Sequence, residues 1–272
     1  DLKQANNVLM RARRDAASNG LHFKRLREPL RIVSTCDASH ASKLTSYGHE
    51  GILVLLMHDP EVRLRGDIVD PADVMKLGGH GHVLSSVSHR SKRISHSTSH
   101  AETLSACSGT QLAQMAAMRL SEVECPIMSG RQADLKTLID ISDSGKYAYP
   151  CDNCTDCHDL LDLITGVKGV PTDKSQRLAV LALREDRLTG RTRYWLHIPT
   201  DSMLPDGLTK VKPGGFSVLM RFVTTGEWLL HDGIDRDHPV KLRRMRRRTR
   251  YEESDLLDII KYDPVENPHM QE

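Results

Sequence analysis

One stretch, Ser85–Leu104, constrains this chain more than any other. A strand-like segment, Val83–Ser88, runs into a loop of serines, histidines and bases, and the loop ends where a long helix should begin. Val83 and Val87 have the β-branched character of a strand. From Leu104 the apolar residues Leu104, Cys107, Leu112, Met115, Ala116, Leu120 and Val123 recur at helical spacing. That pattern predicts a helix over 98–124, with one acid, Glu102, in its first turn. Two readings of Glu102 follow. Ser99-His100-Ala101-Glu102 fits a capping box, in which the glutamate only reaches back to the cap. Alternatively, a strand, a cationic loop and an acid at a helix start together aim a carboxylate at a phosphate-bearing ligand. The second reading needs further acids at matching places.

Length permits one sizeable domain with additions, since the chain has 272 residues. Helical and strand patterns recur as far as Trp228, which excludes disorder for most of it. No stretch is long and apolar enough to span a membrane. Net charge is only +2, but the basic residues bunch in Lys241–Arg250, a run that reads as a solvated tail or a nucleic-acid contact. The six cysteines, without a secretory signal, read as reduced thiols of an intracellular protein, in a cytoplasmic particle or the nucleus rather than secreted. The chain begins at Asp1 and reads as a piece of something longer.

In order, residues 1–26 suggest a surface helix that stops at Asn19-Gly20. Leu30–Thr35 is a strand that delivers Asp37, and Gly48–Met57 is a second apolar strand. Glu61–Leu77 reads as an inserted loop with a short helix near Pro71–Met75. Val83–Ser88 is the third strand, and the hairpin-like connections favour an antiparallel ribbon. After the long helix and a short one within Arg131–Ile141, Tyr147–Thr155 is a fourth strand arriving at Asp156. Helices over His158–Thr165 and Asp173–Arg187 precede a fifth strand, Arg193–Ile198, and then a helix from Asp201 to Lys210 that contains Asp206. This order implies an α/β fold: a mixed five-stranded sheet, three antiparallel strands and then crossover strands, with helices on both faces.

Four acids therefore occupy comparable places: Asp37 after the first strand, Glu102 opening the long helix, Asp156 after the fourth strand and Asp206 after the fifth. The order resembles the ribonuclease H fold, and the wording around the acids is similar to the ribonuclease H domain of copia-type retrotransposon polyproteins. Cys36-Asp37-Ala38-Ser39 followed by Thr45-Ser46-Tyr47-Gly48 resembles the family's "SDAD…STSGY". Val87–Arg93 through Ser97–Glu102 resembles "SWSSKRQ…SRSSAEAE". His197–Thr200 with Leu204–Lys210 resembles "HVPT…LADxxTK". The resemblance spans Arg31–Lys212. It implies a ribonuclease H-like domain over 29–212, a lead-in over 1–28 from an upstream reverse transcriptase in the same polyprotein, and a C-terminal extension over 213–272.

Further implications are functional. The family hydrolyses the RNA strand of RNA–DNA hybrids, with Asp37, Glu102, Asp156 and Asp206 as the catalytic, metal-holding acids. Two Mg²⁺ ions, or Mn²⁺, are the implied cofactor, and Ser91, Lys92 and Arg93 would hold phosphates beside Glu102. Cys151-Asp152-Asn153 matches the family's "CDN", so Asp152 competes with Asp156 for the third place. Asp156 has the better position, directly before an apolar helix. Where the family often carries Thr-Lys-His-Ile at a helix start, this chain has Thr172-Asp173-Lys174-Ser175. The alternative to a nuclease is a catalytically inactive, nucleic-acid-binding remnant of the same fold.

The chemistry suits the residues. Two Mg²⁺ ions about 4 Å apart activate a water, neutralise phosphoryl oxygens and steady the leaving oxygen, and Mg²⁺ prefers carboxylate oxygens. A weaker rival is zinc bound by Cys151, Cys154 and Cys157 with His158 or Cys125; zinc sites usually pair two separated clusters, and no second cluster stands in the chain. Cys154–His158 also has the letters of a covalent haem motif, without an apolar pocket to go with them. The histidines His80, His82, His89, His96 and His100 lack the spacing of paired helical ligands and read as solvated loop residues.

Overall fold

A computed structural model of the chain describes residues 10, 23–39, 47–65, 68–95, 97–130, 132–209 and 213–230. The expected first helix lies, except for Met10 and Phe23–Leu26, outside the described residues, as do the basic run and everything else beyond Leu230. The described residues belong to one compact unit.

Its centre is a mixed sheet. β1 (Leu30–Ser39) pairs antiparallel with β2 (Tyr47–His58), and β2 pairs antiparallel with β5 (Gly79–Ile94). On the other side, β6 (Cys151–Thr155) lies parallel to β1, and β7 (Tyr194–His197) parallel to β6. A two-residue strand, β8 (Glu227–Trp228), adds antiparallel to the start of β5. The order across the sheet is β7-β6-β1-β2-β5-β8. This is the expected five-stranded arrangement with one short edge strand added. Two residues carry too little pattern to announce a strand. The insertion after β2 holds a tiny hairpin, β3 (Leu64–Arg65) with β4 (Ile68–Val69), and a 3₁₀ helix over Pro71–Leu77.

Helices cover both faces. The long helix α1 (Thr98–Ser129) lies on the face carrying Ile32, Cys36, Ile52 and Val54, through a stripe of small residues, Ala106, Ala113 and Ala117. Gly109 on the same stripe lets it come close: a Cβ there would stand 2.8 Å from Ser34 Oγ. The short helix α2 (Leu135–Ser144) follows, with no buried residue. α3 (His158–Thr165) and α4 (Lys174–Leu188) complete this layer through Leu160, Leu161 and Leu183. The opposite face carries Val33, Leu53, Leu55, Met57 and Leu196. There the 3₁₀ turn Thr200–Ser202, α5 (Asp206–Thr209) and α6 (Pro213–Thr225) lie, with Phe222, Trp228 and Leu230 filling the layer. Residues 213–230 thus belong to the core of the unit.

Four boundaries differ from expectation in ways that matter for function. β1 runs on through Asp37 to Ser39, because polar residues continue the ladder with β2 once both faces are covered. β5 runs on to Ile94, so Ser91, Lys92 and Arg93 stand in a strand and not in a loop. The long helix is capped by Ser97, whose side chain accepts a hydrogen bond from the His100 amide at 3.1 Å. The expected capping box at Ser99 is therefore not formed. Asp206 opens its helix and does not lie inside one.

Candidate active site

The four acids approach one end of the sheet from different elements. Asp37 is on β1, only 1 % exposed, and stands opposite Gly51 of β2. In the parallel ladder Thr35 is level with Cys154, so Asp156, the first residue beyond β6, comes level with Asp37 on the neighbouring strand. Adjacent strands lie about 4.8 Å apart. Glu102 is the fifth residue of α1, since Thr98 is the first, and it is buried. With the cap at Ser97, Glu102 lies beyond the position from which a capping-box acid reaches back. Asp206 opens α5 and is also buried.

Two thiols feel the charge of several of these acids. Cys36 is buried, and desolvation lifts its pKa well above the ordinary thiol value; Glu102, Asp37 and Asp156 add to the rise. Cys157 is pushed up to about 11, chiefly by burial, with Glu102, Asp159 and Asp156 contributing. Three of the four acids thus act on one thiol, and two of them act again on a second. Asp206 is tied in through its helix: Thr209 Oγ1 donates a hydrogen bond to Asp37 Oδ2.

Asp152 sits elsewhere, at the start of β6 and fully buried. It accepts from Arg31 Nη1 at 3.0 Å, from Arg193 Nε at 3.0 Å and from Arg193 Nη2 at 2.7 Å. Four residues of extended chain separate it from Asp156, about 13 Å at strand rise. It answers two guanidinium groups and does not join the other acids.

Ser91 is buried, and its hydroxyl donates to the Arg93 carbonyl at 3.1 Å, while Lys92 and Arg93 are exposed. Sequence reasoning missed three neighbours. Arg90 lies over the Tyr47 ring at 4.3 Å from its centroid. His49 Nε2 meets Ser88 Oγ at 2.9 Å, and that hydroxyl in turn donates to the Leu208 carbonyl at 2.9 Å. His158 and His197 stack with centroids 3.6 Å apart, and His197 Nε2 donates to the Asp156 carbonyl at 3.2 Å. Only tertiary pairing brings these residues together, so no local signal in the sequence could have found them.

The zinc rival fails on geometry. In an extended strand, residues three apart face opposite sides. Cys151 packs in the layer under α1, and Cys154 in the opposite layer. Both thiols are pushed up to about 12 by burial. Of the histidines noted in the sequence, His82 bonds to the Lys24 carbonyl at 2.6 Å, His80 to the Gly226 carbonyl at 3.4 Å, and His100 is buried; His96 lies outside the described residues.

The acids' fit to Mg²⁺ has two sides. Their donor atoms are all hard carboxylate oxygens, and the thiols among them, Cys36 and Cys157, are held protonated at neutral pH and do not compete as soft ligands. Among the described residues, however, no three His, Cys, Asp or Glu side chains are grouped closely enough to hold a metal ion.

The antiparallel order β5-β2-β1, extended by the parallel crossover strands β6 and β7 with helices on both faces, is the ribonuclease H-like α/β arrangement expected from the sequence. Among solved structures the chain is similar to RNase H1 from the halophilic archaeon Halobacterium salinarum NRC-1, at 14% identity over 65% of this chain and 93% of that one, with a TM-score of 0.33. It is similar to the N-terminal RNase H domain of a Mycobacterium tuberculosis protein, solved as a fusion with maltose binding protein, at 11% identity over 71% and 99%, TM-score 0.36. It is also similar to LC11-RNase H1 in complex with an RNA/DNA hybrid, at 14% identity over 65% and 93%, TM-score 0.32. No protein-family model matches the chain, and no curated protein does.

Proposed function

We propose that this protein is a metal-dependent endonuclease that hydrolyses the RNA strand of RNA–DNA hybrids. The observation that carries the proposal is the parallel pairing of β1 with β6, which ends just short of Asp37 on one strand and just before Asp156 beyond the other, with Glu102 acting on the same buried thiol as both. Asp37, Glu102, Asp156 and Asp206 would hold the Mg²⁺ ions, with Mn²⁺ as a substitute. Bound Mg²⁺ would supply an activated water and neutralise charge on the phosphoryl oxygens.

The chain's own residues do the rest. Burial of Asp37, Glu102 and Asp206 keeps bulk water from screening their charges. Lys92 and Arg93, exposed on the strand that leads into the Glu102 helix, would take phosphates along the hybrid. Arg90, lying over the Tyr47 ring, offers a third cation on the same strand. Ser91 is turned inward and serves the strand rather than the ligand.

The copia-type setting rests on the three motifs: a polyprotein with an upstream reverse transcriptase, acting inside the cell in a particle or the nucleus. Among the described residues no helix is long and apolar enough to cross a membrane. One observation favours the second reading, a binding remnant without catalysis: among the described residues no three such side chains are grouped closely enough to hold a metal ion. A labelled hybrid separates the two. The nuclease reading expects RNA-strand cleavage that needs Mg²⁺ and vanishes in Asp37→Asn. Salt-sensitive hybrid binding with no cleavage in the unsubstituted protein would instead establish the remnant.

A further inference from the structure

We propose that Thr209, seated on Gly51, is a positioning residue that ties the Asp37 carboxylate to the short helix opened by Asp206. The inference rests on the reading of those two acids as metal-holding groups.

Gly51 stands directly opposite Asp37 in the β1–β2 ladder. Its missing side chain lets α5 lie against the sheet at that point. A Cβ on Gly51 would come 2.6 Å from Thr209 Cγ2, 3.0 Å from Leu208 Cβ and 3.0 Å from the Pro205 carbonyl oxygen. Contacts that short are not tolerated without movement of the helix. With glycine there, Thr209 reaches across and its hydroxyl donates to Asp37 Oδ2. The same hydroxyl also lies 3.3 Å from the Pro205 carbonyl, a longer contact to a weaker acceptor than a carboxylate.

The turn that carries Asp206 is clamped at two further points. The indole of buried Trp228 donates to the Ser202 carbonyl at 2.8 Å on one side of it. Ser88 on β5 donates to the Leu208 carbonyl at 2.9 Å on the other. Met203 and Leu204 between them are buried in the core. Asp206 therefore cannot move without dragging Thr209, and Thr209 sets the rotation of the Asp37 carboxylate. Partners that orient a metal's ligands in this way typically change metal affinity by about 10–100-fold when removed.

Electron paramagnetic resonance of free Mn²⁺, titrated with the full 272-residue chain, tests this without relying on turnover. Thr209→Val keeps the shape and removes the donor; it should weaken Mn²⁺ binding at least about 10-fold. Thr209→Ser restores the donor and should bind close to the unsubstituted protein. Gly51→Ala should weaken binding like Thr209→Val, with a thermal melt recording whether it folds. If Thr209→Val binds Mn²⁺ as the unsubstituted chain does, while Asp37→Asn does not bind it, the positioning role is overturned and the nuclease reading survives. If the unsubstituted chain binds no Mn²⁺, or Asp37→Asn binds it equally well, the metal-holding reading falls and the positioning role falls with it.

Discussion

At the starts of β1 and β6 acid meets arginine; toward their far ends acid meets acid. Arg31 and Asp152 form the buried pair at the first end, joined by Arg193, which also grips Asp59 through contacts of 2.7 and 2.8 Å. Arg31 further donates to the carbonyls of Leu77 at 2.9 Å and His58 at 3.3 Å, so its donors are spent on the fold. Six residues further along β1, Asp37 shares the neighbourhood of one thiol with Glu102 and Asp156 and takes the Thr209 hydroxyl. The same two strands thus lead from a compensated charge cluster at one end to acids of the proposed site toward the other. The letters alone, Asp152 and Asp156 four residues apart, do not separate these roles; their partners do.

The contrast makes graded predictions. Asp152→Ala strands two guanidinium groups around a buried space and should cost about 3–5 kcal/mol of stability in urea denaturation. A loss below about 1 kcal/mol would erase the distinction between the two ends. Ser97→Ala should cost about 1 kcal/mol, because it removes the cap of α1, while Glu102→Gln should cost nothing or stabilise. Equal losses in the two variants, read by thermal melts, would return Glu102 to a capping role. Asp156→Asn thins a like-charge cluster and should raise stability by about 0.5–1 kcal/mol.

Alkali gives the gentlest effect. Cys36, Cys151, Cys154 and Cys157 all have folded-state pKa values above the unfolded thiol value, for burial first. Their contribution to stability is complete below about pH 8.5, the ordinary thiol value. It is lost as pH rises toward about 11 for Cys157 and about 12 for Cys151 and Cys154. Alkylation monitored by mass spectrometry from pH 8 upward should modify Cys157 before Cys36, whose thiol is held protonated by burial first, with Glu102, Asp37 and Asp156 adding to it.

Much of the fold was legible because its period was. The apolar runs of β1 and β2, the spacing of α1 and the capped α4, where Asp173 accepts from the Gln176 amide at 2.8 Å, all announce themselves locally. What stayed hidden was polar. The last residues of β5 read as a loop because His89, Arg90, Lys92 and Arg93 are exposed and leave no apolar trace, although β2 pairs with the strand up to Ile94. Three candidate caps, Ser97, Thr98 and Ser99, stand in a row, and only the backbone chooses among them. The candidate acids were named from motif order, but the Thr209–Gly51 seat and the Arg31–Asp152 cluster join residues more than a hundred positions apart and exist only after folding.

Fe²⁺ in place of Mg²⁺ tests most directly whether these distant acids meet at one ion. With ascorbate and peroxide, a bound Fe²⁺ cuts the backbone around itself. The account predicts fragments ending near Asp37, Glu102, Asp156 and Asp206 together, all suppressed by excess Mg²⁺. Cuts confined to other surfaces, or near only one of the four and insensitive to Mg²⁺, would contradict it.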